Sequence, residues 1–185
     1  MATRERLILW ATEQDRPGLV AELSGFIAGR GCNIDDSRVI VLGGFAGLMF
    51  LVSGSPSQVA AIESGAGAFE RATGLRVTVR RDRPVHVPPV HAPAEWLVTA
   101  SAMDHEGIIH AITDVVRAHG GNILELETST ESAPMTGSPL FAMRMVITVS
   151  ERHGSATRLR EALDTLARAE AIDLDMREAV EAVST

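Results

Sequence analysis

Hydrophobic and polar positions alternate along this chain with two different periods, and the switches between them mark its elements. Leu7 to Thr12 is a short apolar run suited to a buried strand. Leu19, Val20, Leu23, Phe26 and Ile27 then fall at i, i+1, i+4, i+7 and i+8, one stripe of a helix over about Pro17 to Arg30. Asp15 is placed to cap that helix, Pro17 to lie in its first turn and Gly31 to stop it. A second strand is expected from Asn33 to Leu42, with Gly43-Gly44 as a tight hairpin into a third, Phe45 to Ser53. Ser55-Pro56 opens a second helix, which Gly65 and Gly67 weaken. Leu75, Val77 and Val79 alternate with Arg76, Thr78 and Arg80, the pattern of a half-buried last strand.

The same pattern occurs twice. At a shift of 89 residues, Asp15-Arg16-Pro17-Gly18 falls on Asp104-His105-Glu106-Gly107, and Gly31-Cys32-Asn33-Ile34 falls on Gly120-Gly121-Asn122-Ile123. The helical stripe falls on Ile108, Ile109, Ile112, Val115 and Val116. Val59, Ile62, Ala66 and Phe69 match Ala156, Leu159, Leu163 and Leu166 at a shift of 97, so eight extra residues lie between the second strand and second helix of the later copy. Its elements are Trp96–Ser101, a helix over 107–119, Asn122–Thr130, Leu140–Val149, a helix over 155–169, and a strand alternating Ile172, Leu174 and Met176 with polar residues.

Each copy is thus β-α-β-β-α-β. The fold class is α+β: two tandem ferredoxin-like units, each an antiparallel four-stranded sheet with two helices on one face. The expected domains are 1–83 and 95–185, joined by 84–94, where Pro84, Pro88, Pro89 and Pro93 make an extended, stiff linker. Two strands break the alternation of a sheet with one wet face. Leu7 to Trp10 and Leu48 to Val52 are continuous apolar runs, whose side chains point to both faces. Either these are ordinary central strands, or another unit or a second chain covers the open face.

Charge and composition narrow the chemistry. The net charge is −7, with residues 1–83 at +1 and residues 95–185 at −8, which disfavours direct nucleic-acid binding. All 17 basic residues are arginine and there is no tyrosine, which removes Schiff-base chemistry, a phosphate-loop lysine and a tyrosine nucleophile. Cys32 is the single cysteine, so no disulfide or zinc cluster forms within the chain. The apolar stretch from Val39 to Val52 is broken by Gly43 and Gly44 and is too short for a bilayer; Met1 to Trp10 lacks the form of a secretory signal. A cytoplasmic protein without a membrane anchor is expected.

The candidate chemistry lies at the repeated Asp-x-x-Gly turn and the Gly-x-Asn-Ile that opens strand two. The first helix presents free backbone N–H groups and a positive dipole end, suited to a carboxylate. Gly18 and Gly107 admit close approach, Asp15 and Asp104 suit an ammonium group, and Asn33 and Asn122 offer both donor and acceptor. Together they fit a free amino acid; alternatively, they are a helix cap and a tight turn. Elsewhere, His105, His110 and His119 lack the three- or four-residue spacing of helical metal ligands, and His86 and His91 lie in the linker, so no metal is expected. Asp35-Asp36, adjacent in a strand, should point to opposite faces, which rules out an acid–base pair. Ser37-Arg38 reaches either a ligand or solvent. Cys32, beside a helix end, is either a thiol of lowered pKa or a small core residue. The Arg80-Arg81-Asp82-Arg83 run is a solvated strand end, and Met135-Thr136-Gly137 a flap or partner contact.

The block from Asp15-Arg16-Pro17-Gly18 through Gly31-Cys32-Asn33-Ile34-Asp35-Asp36-Ser37-Arg38 resembles the ACT domain, a βαββαβ module that senses small molecules. The tandem arrangement, Leu42-Gly43 and the segment from Ala133 to Phe141 resemble the glycine cleavage system transcriptional repressor family over nearly the whole chain. The resemblance implies a regulator with no catalytic site and no cofactor. It implies an amino acid, glycine first, held between the first loop of one unit and strand two of another. Carried over, its ligand residues are Asp15, Arg16, Pro17, Gly18, Leu19, Asn33 and Ile34, and Asp104, Gly107, Ile108, Asn122 and Ile123. His105-Glu106 departs from the motif, and Glu106 would repel a carboxylate, which puts the second site in doubt. The implied partners are the ligand, a second copy in a homodimer, and a protein such as a transcriptional activator. Two other readings are a relative of the formyltetrahydrofolate deformylases and an interaction module without a ligand.

Overall fold

Each half of the chain builds the expected β-α-β-β-α-β unit. The structure is a computed structural model that describes residues 4–81, 94–132, 137–149 and 155–179. The chain divides into units Met1–His86 and Val87–Thr185. The expected linker lies outside the described residues apart from Ala94, as does most of the 133–141 segment before Gly137.

The first unit consists of β1 (Glu5–Gln14), α1 (Leu19–Ala28), β2 (Asn33–Leu42), β3 (Phe45–Gly54), α2 (Pro56–Thr73) and β4 (Arg76–Arg81). Its strands are antiparallel in the order β2-β3-β1-β4, so the two innermost strands are the most apolar ones. Alternation places Leu7, Leu9 and Ala11 of β1 beside Ala46, Leu48, Phe50 and Val52 of β3, all buried under the helices with Leu23, Ile27, Val59 and Ile62. The intervening Ile8, Trp10 and Leu51 are half-buried, and Met49 is exposed on the opposite face. The apolar runs therefore serve two faces, and only one belongs to the core.

The two helices are joined by a stack. Phe26 of α1 lies 4.3 Å from Phe69 of α2, centroid to centroid, and the Arg30 guanidinium sits 3.7 Å above the Phe26 ring. Arg30 also donates from Nε to the Ala61 carbonyl at 3.0 Å and from Nη1 to that of Phe26 at 3.0 Å. Gly65 makes room for this: a Cβ there would collide with the guanidinium. The helix runs unbroken through Gly65 and Gly67, started by a full capping box between Ser55 and Gln58 with Pro56 in its first turn.

The second unit repeats the plan with β5 (Glu95–Met103), α3 (Ile108–Ala118), β6 (Gly121–Ser132), β7 (Pro139–Val149), α4 (Ala156–Glu170) and β8 (Asp173–Glu178). Its sheet order is β6-β7-β5-β8, again antiparallel. Val98, Met145, Ile147, Ile112, Leu159 and Leu163 form its core. The described core residues fall into two separate clusters, one per unit.

Three sequence expectations need correction. Asp15 does not cap α1 and Pro17 is not in its first turn; the N-cap is Gly18, at φ 98° and ψ −12°, with no side-chain cap bond. Pro17-Gly18 has the chemistry and Gly18 the dihedrals of a type II turn, which requires positive φ at its second central residue. Gly107, at φ 94° and ψ −8°, does the same without a preceding proline. Next, Asp35 and Asp36 do not simply alternate. Each unit carries a bulge at the same point, between Ile34 and Asp36 and between Ile123 and Glu125. Asp35 accepts from Asn33 Nδ2 and from Ser53 Oγ, both at 2.8 Å, and these bonds hold its carboxyl below the usual range. Finally, the Cys32 thiol is pushed up, not down, because burial penalises the thiolate. The hairpin expectation holds: Gly43 and Gly44 both take positive φ, at 58° and 80°.

Candidate functional site

The turn before the first helix is positioned by the hairpin beside it. The Asp15 N–H donates to the Gly44 carbonyl at 2.9 Å, and the Asp104 N–H donates to the Pro139 carbonyl at 3.0 Å. The first intrahelical bonds, Glu22 N–H to Gly18 C=O and Ala111 N–H to Gly107 C=O, are both 2.9 Å. The preceding helical amides of Leu19, Val20 and Ala21, and of Ile108, Ile109 and His110, thus lie ahead of the ladder, at helix ends without side-chain caps.

Between each helix start and its neighbouring strand runs a groove. In the first unit it measures about 420 Å³ and is lined by Asp15, Arg16, Gly18, Leu19, Val20 and Ala21 on one side and Val39, Val41, Ala46 and Leu48 on the other. In the second it measures about 540 Å³, lined by Asp104, His105, Gly107, Ile108, Ile109 and His110 opposite Thr128, Ser129, Thr130 and Phe141. The grooves are equivalent wall for wall, and their chemistry differs. Val39 and Val41 of the first correspond to Thr128 and Thr130 of the second, and Ala21 corresponds to His110. The Thr130 hydroxyl donates to Asp104 Oδ2 at 3.3 Å.

The grooves gather some of the expected residues and leave others apart. Asp15, Arg16, Gly18 and Leu19 line the first groove, and Asp104, Gly107 and Ile108 the second. Pro17 shapes the turn without lining it. Arg16 is already engaged: it donates from Nη1 and Nη2 to Glu22 Oε1 and Oε2 at 2.6 and 2.8 Å, and from Nη2 to the Thr73 carbonyl at 3.2 Å. Its hydrogen bond holds the Glu22 carboxyl below the ordinary range, and Glu22 raises Arg16 in return. Asn33 and Ile34 lie past the far end of α1, where they line a separate groove of about 440 Å³ with Ser24, Gly25, Ala28 and Cys32. Asn122 and Ile123 occupy the matching start of β6, paired with Thr148 and Ile147. Glu106 is exposed and does not line the second groove.

Val39 and Val41, Thr128 and Thr130, and His110 were missed by motif reasoning. The signal was in the repeat itself, since the 89-residue shift that aligns the two aspartates also aligns these walls. Of the other candidates, His119 Nδ1 lies 2.9 Å from the Val115 carbonyl at the end of α3, in a helix-capping role. Arg38 bonds Asp36 at 2.7 Å in solvent, and Arg81 pairs with Glu63 and Glu5. Among the described residues no group of histidine, cysteine or acidic side chains could hold a metal ion, and no helix is long and apolar enough to cross a membrane.

Comparison with known proteins agrees with this geometry. A family model for the ACT domain matches residues 5–80. The glycine cleavage system transcriptional repressor of Escherichia coli K12 is 31% identical over 133 residues, 72% of this chain and 69% of that protein. Among solved structures, an uncharacterised protein of Galdieria sulphuraria superposes with a TM-score of 0.82 at 29% identity, covering 96% of this chain and 100% of the other. Another, provisionally assigned as a glycine cleavage system transcriptional repressor, superposes with a TM-score of 0.71 at 22% identity, covering 95% and 98%, and supports the fold.

Proposed function

The chain belongs to the glycine cleavage system transcriptional repressor family of tandem ACT-domain proteins, which are regulators rather than enzymes, and from that premise we propose that it senses a small amino acid, glycine first. The supporting observation is the duplicated groove, in which an uncapped helix start, a left-handed glycine and an aspartate converge. A carboxylate fits the leading amides of α1 or α3, where the helix dipole favours negative charge. The ammonium group fits Asp15 or Asp104. The absence of a Cβ on Gly18 and Gly107 lets the ligand approach the backbone.

Asn33, Ile34, Asn122 and Ile123 then contribute from a neighbouring copy, since their own unit holds them away from its groove. That makes the working form a homodimer. Occupancy changes the affinity for a protein partner, a transcriptional activator in the simplest version, and the protein works in the cytoplasm without contacting nucleic acid itself. The net charge of −7 suits such an indirect role. A thermal-shift screen of the full chain against the twenty amino acids is the test. Glycine at a hundred times its Kd should add about 2.7 kcal/mol. No shift with any amino acid would overturn the reading.

A further inference from the structure

We propose that the two grooves have diverged, and that the second unit's groove is the amino-acid receptor while the first unit's is not. This rests on the sensing function proposed above and assigns it to one half of the chain. The grooves have the same backbone, the same uncapped helix start and the same aspartate, so the remaining side chains decide between them.

A zwitterion entering either groove loses water from both charged ends and needs hydrogen bonds in return. The wall of the second groove supplies them. Thr128 and Thr130 each bring a hydroxyl that both donates and accepts, and Thr130 already donates to Asp104 Oδ2, fixing that carboxylate where an ammonium group would meet it. In the first groove the same two positions are Val39 and Val41, which offer neither donor nor acceptor. Its one cation, Arg16, is held by both carboxylate oxygens of Glu22. The acidic Glu106, which from sequence would have disabled the second site, stands outside its lining.

Exchanging the walls tests the assignment. Glycine is titrated calorimetrically into the full-length chain, into T128V/T130V and into V39T/V41T. All four positions are exposed and both residue types favour strands, so the sheets are retained. The expected result is one glycine per chain, with affinity weakened about tenfold or more in T128V/T130V and unchanged in V39T/V41T. Asp104→Asn, at an exposed loop position, should give the same loss, and Thr130→Ser should keep binding. Wild-type affinity in T128V/T130V, a loss in V39T/V41T, or two equal sites per chain would overturn the assignment while leaving amino-acid sensing intact. Neither glycine heat in the wild-type chain nor a thermal shift with any amino acid would overturn both.

Discussion

Arg16 holds both carboxylate oxygens of Glu22, at 2.6 and 2.8 Å, so the motif residue with the strongest positive charge is occupied by its own helix. Its further bond to the Thr73 carbonyl ties the loop after β1 and the first turn of α1 to the end of α2. Bidentate geometry makes this pair more specific than an ordinary surface contact, although both side chains remain over a third exposed or close to it. Arg16→Ala should therefore lower the melting temperature by a few degrees and leave amino-acid affinity unchanged. Calorimetry on the variant separates the two effects; a lost affinity at unchanged melting temperature would make Arg16 a ligand residue instead.

Gly65 and Gly67 lie two residues apart in one helix and should respond oppositely to alanine. At Gly67 an added Cβ meets nothing closer than Arg71 Nη1 at 3.6 Å, so Gly67→Ala should stabilise by about 0.5–1 kcal/mol through helix propensity alone. At Gly65 the same methyl displaces the Arg30 guanidinium, which loses its bonds to Ala61 and Phe26 and its place over the ring. Gly65→Ala should gain nothing or lose stability. Chemical denaturation of both variants checks the difference, and equal gains would remove the packing role assigned to Arg30.

The internal repeat makes most of this fold legible in the amino-acid sequence. The 89-residue register carries the strand and helix order, and the double glycine at 43–44 carries the hairpin. The helix start is misplaced from sequence because aspartate and proline are the usual cap chemistry, whereas here they belong to a turn whose left-handed glycine is itself the cap. The bulge at Asp35 is invisible because no local residue demands it; Asn33 and Ser53, twenty residues apart, hold it. At the groove, the turn can be read from its motif, but its opposite wall comes from the middle of β2 or β6. Only the repeat shift relates Val41 to Thr130, and no motif marks either.

Acid should weaken the native state through a defined set of carboxylates. Arg16 lowers Glu22, Asn33 and then Ser53 lower Asp35, Arg81 lowers Glu63, and Arg117 lowers Asp114, each chiefly by a hydrogen bond to the charged form. A folded-state pKa below the unfolded one means that folding favours the ionised form. This contribution is complete above the unfolded value of about 4 and fades as pH falls through the folded values. Melting temperatures should be flat from pH 7 to about 5 and decline below about 4. Asp35→Asn should make the decline shallower; an unchanged profile would show that these bonds do not survive in solution.

The edge strand β2 should govern association. Ile40, Leu42 and Phe45 are 63, 75 and 62% exposed, on an edge that pairs with no other strand among the described residues. A strand edge with open N–H and C=O groups and apolar side chains is a template for another strand, and native edges are ordinarily blunted by charge or proline. Here Arg38 is the last charge before the hairpin, and Val39, Ile40, Val41 and Leu42 follow without interruption. The matching stretch of β6, Thr128 to Glu131, is polar, so the first unit should carry the contact. Sedimentation should find a dimer at micromolar concentration for the wild-type chain and a monomer for Ile40→Lys/Leu42→Lys. The charged pair sits outside the core, so the variant should keep its far-ultraviolet spectrum and the first unit its melting transition. A monomeric wild-type chain, or a variant that still dimerises, would move the contact away from β2, and with it the route by which Asn33 of one copy could reach the groove of another.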